Sequence, residues 1–443
     1  MFPLTKDAFE QAVKNTSILD LSTATIRQIC SLAAELESIA DEKLIHLEIG
    51  NPGLEAERTG VDAEIMALNS GVANKYPNIQ GIPELKKAAK RFVKAFLDVE
   101  VPEKGVVPTV GSMQGSFTLM LLLSQRLKDQ GKDTMLFINP GFPAQRNQAK
   151  LLGINDVAFD IYEYRGKKLE EKLESILSKG NVTGMIFSNP NNPAWISLTE
   201  EELEIVGRLA TKYDCIVLED LAYLGMDFRK DISEPFQAPY VSTVAKYTDN
   251  YILMISGSKI FSYAGQRIAV VCMSEQVYDR HYNFLEKFYE MPAFGDAYIF
   301  GVLYCASSGT AHSAQHALAA MMTKAADGEL NFVENCRAYE RKSAKAKEIF
   351  LKNGFHIVYD KDGDKKISDG FFFTIGYGDM DGLTLQSELL RYGVASISLK
   401  STGSVQNGVR ICVSMIHNDQ DFEALDRFLC KFNEDHDKIT PQN

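Results

Sequence analysis

Between residues 105 and 275, five short and nearly unbroken apolar runs, TMLFINP, GMIFSNP, CIVLED, YILMISG and RIAVVCMS, alternate with helix-like stretches. A strand wetted on one face alternates apolar and polar residues, and these runs do not, so they predict parallel strands covered on both faces. The expected class is α/β, a mostly parallel sheet sandwiched by helices. One intervening helix has a legible start: Thr199, with Glu202 three residues on, forms a capping box ahead of LEIVGRLATKY.

After about residue 330 the texture changes. A strongly charged helix, YERKSAKAKEIFLKNG, precedes FFFTIGY, a helix near LQSELLRYG, the strand GVRICVSM and a last helix, EALDRFLCKF. This is an α+β pattern, and 443 residues favour two domains over one. The expected division is a large domain over 53–325 and a smaller α+β domain built from 1–52 and 326–443. The polar tail NEDHDKITPQN is the one disorder-like piece.

Bulk properties exclude several classes. A formal net charge of −12 argues against a grip on a phosphate backbone, so nucleic acid is not an expected partner. The seven cysteines, scattered from Cys30 to Cys430 without a CxxC, indicate neither a disulfide framework nor a zinc ribbon, and read as small buried hydrophobes. The N-terminus lacks a signal-peptide pattern and no run of about 18 apolar residues occurs, so a cytoplasmic protein without a membrane partner is expected. His312 and His316 are spaced like two metal ligands, but no carboxylate completes a site and no metal is expected. DKDGDKKISDG lacks the glycine and glutamate of a calcium loop and reads as a solvated hairpin turn.

The chemistry-bearing residues stand at strand ends, where α/β sheets place their sites. In PTVGSMQGSFTLMLLL a strand runs into Gly111, Ser112 and Met113 at a helix start, which is either a plain glycine turn with an N-cap or an anion site of free N–H groups. Asp220 ends an apolar strand in CIVLED, with Tyr223 three residues later; it either caps the next turn or meets a cation. Lys259, in SGSKIF, follows another apolar strand, with Arg267 eight residues on. A lone lysine in a turn is ordinarily solvated, whereas a desolvated one becomes a nucleophile toward carbonyls. Taken together, the ordered set matches the needs of pyridoxal phosphate: donors and an arginine for the phosphate, a carboxylate for the ring nitrogen and an amine for the aldehyde.

At these motifs the chain resembles the class I/II aminotransferases, the aspartate-aminotransferase-like fold type I enzymes of pyridoxal 5'-phosphate. The resemblance covers roughly residues 20 to 430. It implies a seven-stranded, mostly parallel sheet in the large domain, a smaller α+β domain, and a homodimer with shared sites. SGSKIFSYAGQR is similar to the family's lysine signature, which makes Lys259 the Schiff-base residue and Ser256, Ser258 and Arg267 phosphate ligands. DLAY places Asp220 on the pyridine nitrogen and Tyr223 on the ring hydroxyl oxygen, and SNPNNP places Asn192 beside that oxygen. PGFP implies that Phe142 stacks on the cofactor, YPNIQG that Tyr76 reaches the neighbouring subunit's phosphate, GVRICVSM that Arg410 clamps the substrate α-carboxylate, and LEIGNPG that Gly50 approaches the substrate. SSGTAHSAQHA resembles a stretch touching the partner's cofactor, with Ser308 the best match.

The implied activity is amino transfer between an L-amino acid and a 2-oxo acid through internal aldimine and pyridoxamine phosphate forms. A carbon–sulfur β-lyase is the alternative on the same core residues, and a non-catalytic cofactor-binding sensor is a third reading, opposed by the short N-terminus. Two departures stand out. The usual Thr-Gly after the Asn-Pro pair is Ala194-Trp195, and MPAFGDAYIFGVLY has no arginine to receive a side-chain carboxylate.

Overall fold

The computed structural model describes residues 1–436. Seven strands form the main sheet: β1 (Val106–Thr109), β2 (Thr134–Asn139), β3 (Asp156–Asp160), β4 (Val182–Ser188), β5 (Ile216–Asp220), β6 (Tyr251–Ser256) and β7 (Ala269–Met273). Their order is β1-β7-β6-β5-β4-β2-β3. β2 to β6 pair in parallel, and β7 runs antiparallel to both β6 and β1. The predicted cover on both faces is present: Ile252 and Met254 enter one apolar core, while Leu253 and Ile255, pointing the other way, enter a second.

A second sheet of four antiparallel strands comprises β8 (His356–Ile357), β9 (Phe372–Gly376), β10 (Ile397–Ser398) and β11 (Val409–Cys412), in the order β10-β11-β9-β8. The N-terminal segment joins this part of the molecule, because Ile45–His46 pairs in parallel with Val394–Ala395. The helices Ala338–Lys352, Gly382–Arg391 and Asp419–Asp435 surround the sheet where the charged and amphipathic patterns predict them. The predicted capping box opens the Glu200–Lys212 helix, with Thr199 and Glu202 bonding reciprocally.

Several expectations differ from what is seen. The tail NEDHDKITPQN begins inside the last helix, which runs to Asp435; its remainder from 437 on lies outside the described residues. Cys215, Cys272, Cys336 and Cys412 are buried as expected, but Cys305 and Cys430 are exposed. The DKDGDKK hairpin forms, with Lys361–Asp362 paired to Lys365–Lys366, but its Asp362 is not solvated. That carboxylate is buried and receives Arg165 at 3.0 Å and Arg229 at 2.6 Å, because two guanidinium groups offset its desolvation. Among the described residues no helix is long and apolar enough to cross a membrane.

Candidate functional site

Parallel pairing sends the carboxyl ends of neighbouring strands to one rim of the sheet. Ser188 pairs with Asp220, and Asp220 with Met254, two residues before Ser256. The antiparallel β7 brings its amino end to the same rim: Ala269 pairs with both Ser256 and Thr109. The expected residues of five chain segments therefore converge there.

The covered strand end places Asp220 in an apolar setting. Its carboxylate accepts the Gln145 side-chain N–H at 3.0 Å and the Ala222 backbone N–H at 3.2 Å. Among the described residues no cation pairs with it, and burial lifts its pKa to about 6. Gln145 escapes a sequence reading because a glutamine in a helix looks like a surface residue; its one signal is a place three residues after Phe142.

Lys259 lies in a single helical turn, Gly257–Ile260, directly after β6. Its Nζ donates to the Gly50 carbonyl and sits 5.6 Å from the centre of the Phe371 ring. Desolvation, helped by Arg410 and Arg267, pulls its pKa down to about 8. Asn192 joins two further groups: its Nδ2 donates to the Tyr223 hydroxyl at 3.4 Å, and its Oδ1 accepts from Arg410 at 3.3 Å. Arg410, on β11, is fully buried, donates to the Glu48 carbonyl and lies 4.7 Å over the Phe372 ring; among the described residues its Nε has no partner. Burial lowers its pKa. Burial likewise pushes the Tyr223 phenol well above its usual range.

A corner with the makings of an anion site lies beside this cluster. Gly111 opens the 16-residue helix Gly111–Arg126 with φ of +67°, and a β-carbon there would collide with the Arg267 guanidinium. The helix start thus brings free N–H groups against a cation. The Ser112 hydroxyl is buried there without a partner among the described residues, Met113 is partly exposed, and Ser256 and Ser258 bond each other at 2.9 Å on the adjoining strand end.

The remaining expected residues lie apart from these contacts. Phe142 is half-buried just before the Pro143–Leu151 helix, Ser308 closes a helix in the left-handed conformation, and Tyr76 is 93% exposed. His312 and His316 stack at 5.4 Å. Sequence reasoning also missed the carbonyls of Glu48 and Gly50, which hold Arg410 and Lys259, and the rings of Phe371 and Phe372 beneath those cations. The arrangement can hold an anion at the helix start, a cationic nitrogen at Asp220, a carbonyl carbon at Lys259 and a carboxylate at Arg410.

Comparison with known proteins bears on this constellation. The family model for aminotransferase class I and II matches residues 42–428. The aspartate aminotransferase of Pyrococcus horikoshii is 26% identical over 262 residues, which is 59% of this chain and 62% of that protein. The glutamate-pyruvate aminotransferase AlaC of Escherichia coli is 28% identical over 246 residues, 54% of this chain and 57% of that one. The matched stretch therefore spans less than two thirds of these relatives. A mutant of Thermus thermophilus aspartate aminotransferase superposes with a TM-score of 0.74 at 18% identity, covering 97% of this chain and 100% of that one. An aminotransferase from Mycobacterium tuberculosis gives 0.74 at 19% identity, covering 95% and 100%. At such identities the likeness is one of fold.

Proposed function

The chain belongs to the class I and II aminotransferase family, and from that premise we propose that it is a pyridoxal 5'-phosphate-dependent transaminase, moving an amino group between an L-amino acid and a 2-oxo acid. One observation carries the reading: Asp220 is a buried carboxylate without a cation, one strand away from the strand that delivers the desolvated Lys259. Such a carboxylate is costly unless a positive group arrives to meet it. The buried Ser112 hydroxyl, without a partner among the described residues and one position after the glycine that Arg267 abuts, fits the cofactor's phosphate in the same way.

In this reading Gly111, Ser112, Met113, Ser256, Ser258 and Arg267 hold the phosphate, with Tyr76 of a second subunit. Asp220 would hold the proton on the ring nitrogen, Tyr223 and Asn192 would bond the ring hydroxyl, and Phe142 would pack on the ring. The bound cofactor supplies a carbonyl that captures an amine and a cationic ring that accepts the electrons left at Cα. The chain's own residues do the rest. Arg410 orients the substrate α-carboxylate by giving up its hold on the Glu48 carbonyl, and Gly50 keeps the backbone close beside it. Lys259, with its pKa drawn down to about 8, is deprotonated often enough at neutral pH that it would serve as the base for the substrate Cα proton and as the acid that returns it.

Tyr76 and Ser308 have a role only in a site shared between chains, which makes the protein a homodimer. Exposed Ile65, Met66, Phe300 and Tyr304 offer apolar surface for that contact. A cytoplasmic enzyme of amino acid biosynthesis is the setting this reading implies. The test is a panel of amino acids offered with a 2-oxo acid: a transaminase yields a new amino acid and a new 2-oxo acid in equal amounts. Ammonia release without a new amino acid would overturn the reading and leave a lyase.

Two expected outcomes belong here. Arg410→Met should raise KM for both substrates by on the order of 10²-fold, since a charge-assisted bidentate contact is lost. Folding stability should hold or rise, because a buried guanidinium without a carboxylate partner is replaced by an apolar chain; paired kinetic and thermal-unfolding measurements check both. In the cofactor-free protein, Asp220 titrates near 6 folded and near 3.8 unfolded, so the folded state retains its proton longer. Its stabilising effect is full below about 3.8 and is lost as the pH rises through 6. Between these limits wild type should lose on the order of 2–3 kcal/mol relative to Asp220→Asn, measured by urea unfolding.

A further inference from the structure

Trp195, the single tryptophan of the chain, combines three unfavourable features. Its φ of +64° lies in the left-handed region that favours glycine, its ring is fully buried, and its indole N–H has no partner among the described residues. The turn that carries it does not need the ring. Asn191 closes that turn alone, accepting from the Trp195 and Ala194 backbone N–H groups, each at 2.9 Å, and bonding the Pro140 carbonyl at 2.8 Å. Strain and an unsatisfied donor retained at one residue call for a role elsewhere.

That role is visible in what the indole touches. It meets the Tyr223 ring edge-on at 5.6 Å and the Phe372 ring edge-on at 6.1 Å. Tyr223 belongs to the loop after β5 of the main sheet; Phe372 belongs to β9 of the second sheet and lies beneath Arg410. The second sheet leaves room for the wedge at Gly370, where a β-carbon would collide with the indole. Asn192, in the same turn, touches both the Tyr223 hydroxyl and Arg410. Interdigitated aromatic rings resist sliding, so the wedge ties the two sheets at the point where the proposed carboxylate clamp meets the proposed cofactor contact.

We propose that Trp195 is a positioning residue for Arg410: its indole, seated over Gly370, holds Phe372 and Tyr223 so that the guanidinium is set before a substrate carboxylate arrives. This rests on the transaminase reading for the meaning of Arg410. With the holoenzyme and a turned-over substrate pair, Trp195→Gly should raise KM for both substrates by on the order of ten-fold or more while lowering kcat less, and Trp195→Phe should restore most of the loss. Emission from the lone tryptophan supplies a second readout. It should resist iodide quenching, and it should shift when pyruvate is titrated into the wild type but not into Arg410→Met. A Trp195→Gly enzyme with an unchanged KM and only a lowered melting temperature would overturn the proposal, as would unmoved emission while calorimetry shows pyruvate binding. Should no amino acid pair turn over, the transaminase reading falls, and the pyruvate titration with its Arg410→Met control still decides for or against Trp195.

Discussion

Lys259→Ala is expected to cut turnover by about 10⁴-fold or more while leaving the protein folded. The estimate joins two losses, the covalent anchor and the proton carrier, the latter alone worth roughly 10²–10⁴. The contacts of Nζ offer no substitute: it donates to the Gly50 carbonyl and faces the Phe371 ring, neither of which moves protons. The fold should survive, because the lysine is desolvated and its removal relieves an unfavourable burial. Steady-state assays and the visible absorbance of the bound cofactor are the measurements. A variant that still transaminates at more than a few per cent of the wild-type rate would sink the assignment.

Asp220→Asn should lower kcat by on the order of 10²–10³ with a much smaller change in cofactor affinity. The asparagine can still accept from the Ala222 N–H and face Gln145, so shape is kept and only the charge is lost. A carboxylate in contact with a ring N–H⁺ is worth on the order of 4 kcal/mol at an effective dielectric near 20, before desolvation is subtracted. Most of that acts on the protonated ring, whose electron demand governs proton removal from the substrate. In the proposed reading, binding rests on the helix-start corner instead, where Ser112 and Arg267 are untouched. Equal losses in cofactor affinity and kcat would contradict this division of labour.

What the sequence made legible follows physical lines. β2, β4, β5, β6 and β7 were readable because burial on both faces leaves unbroken apolar runs. β3 was not, because DVAFD at the sheet edge carries an acidic residue at each end. The side chains of Lys259, Asp220 and Arg410 announce themselves as charges set against apolar neighbours. Groups that hold them do not. A backbone carbonyl at Gly50 or Glu48 carries no residue identity, and Gln145 becomes special only when Asp220 is found opposite it. Asp362 was misread because its arginine partners lie 133 and 197 residues away in the chain.

The reversed direction of β7 has a mechanical consequence. Because β7 follows β6 in the chain and pairs with it antiparallel, Lys259 and Arg267 occupy one connection, residues 257–268, between two hydrogen-bonded neighbours. The Lys259 amine and the Arg267 guanidinium are thus parts of one bracket. Arg410, mounted on the other sheet, is not. Any rocking of one sheet against the other would alter the reach from the amine to Arg410 and leave the reach from the amine to Arg267 unchanged.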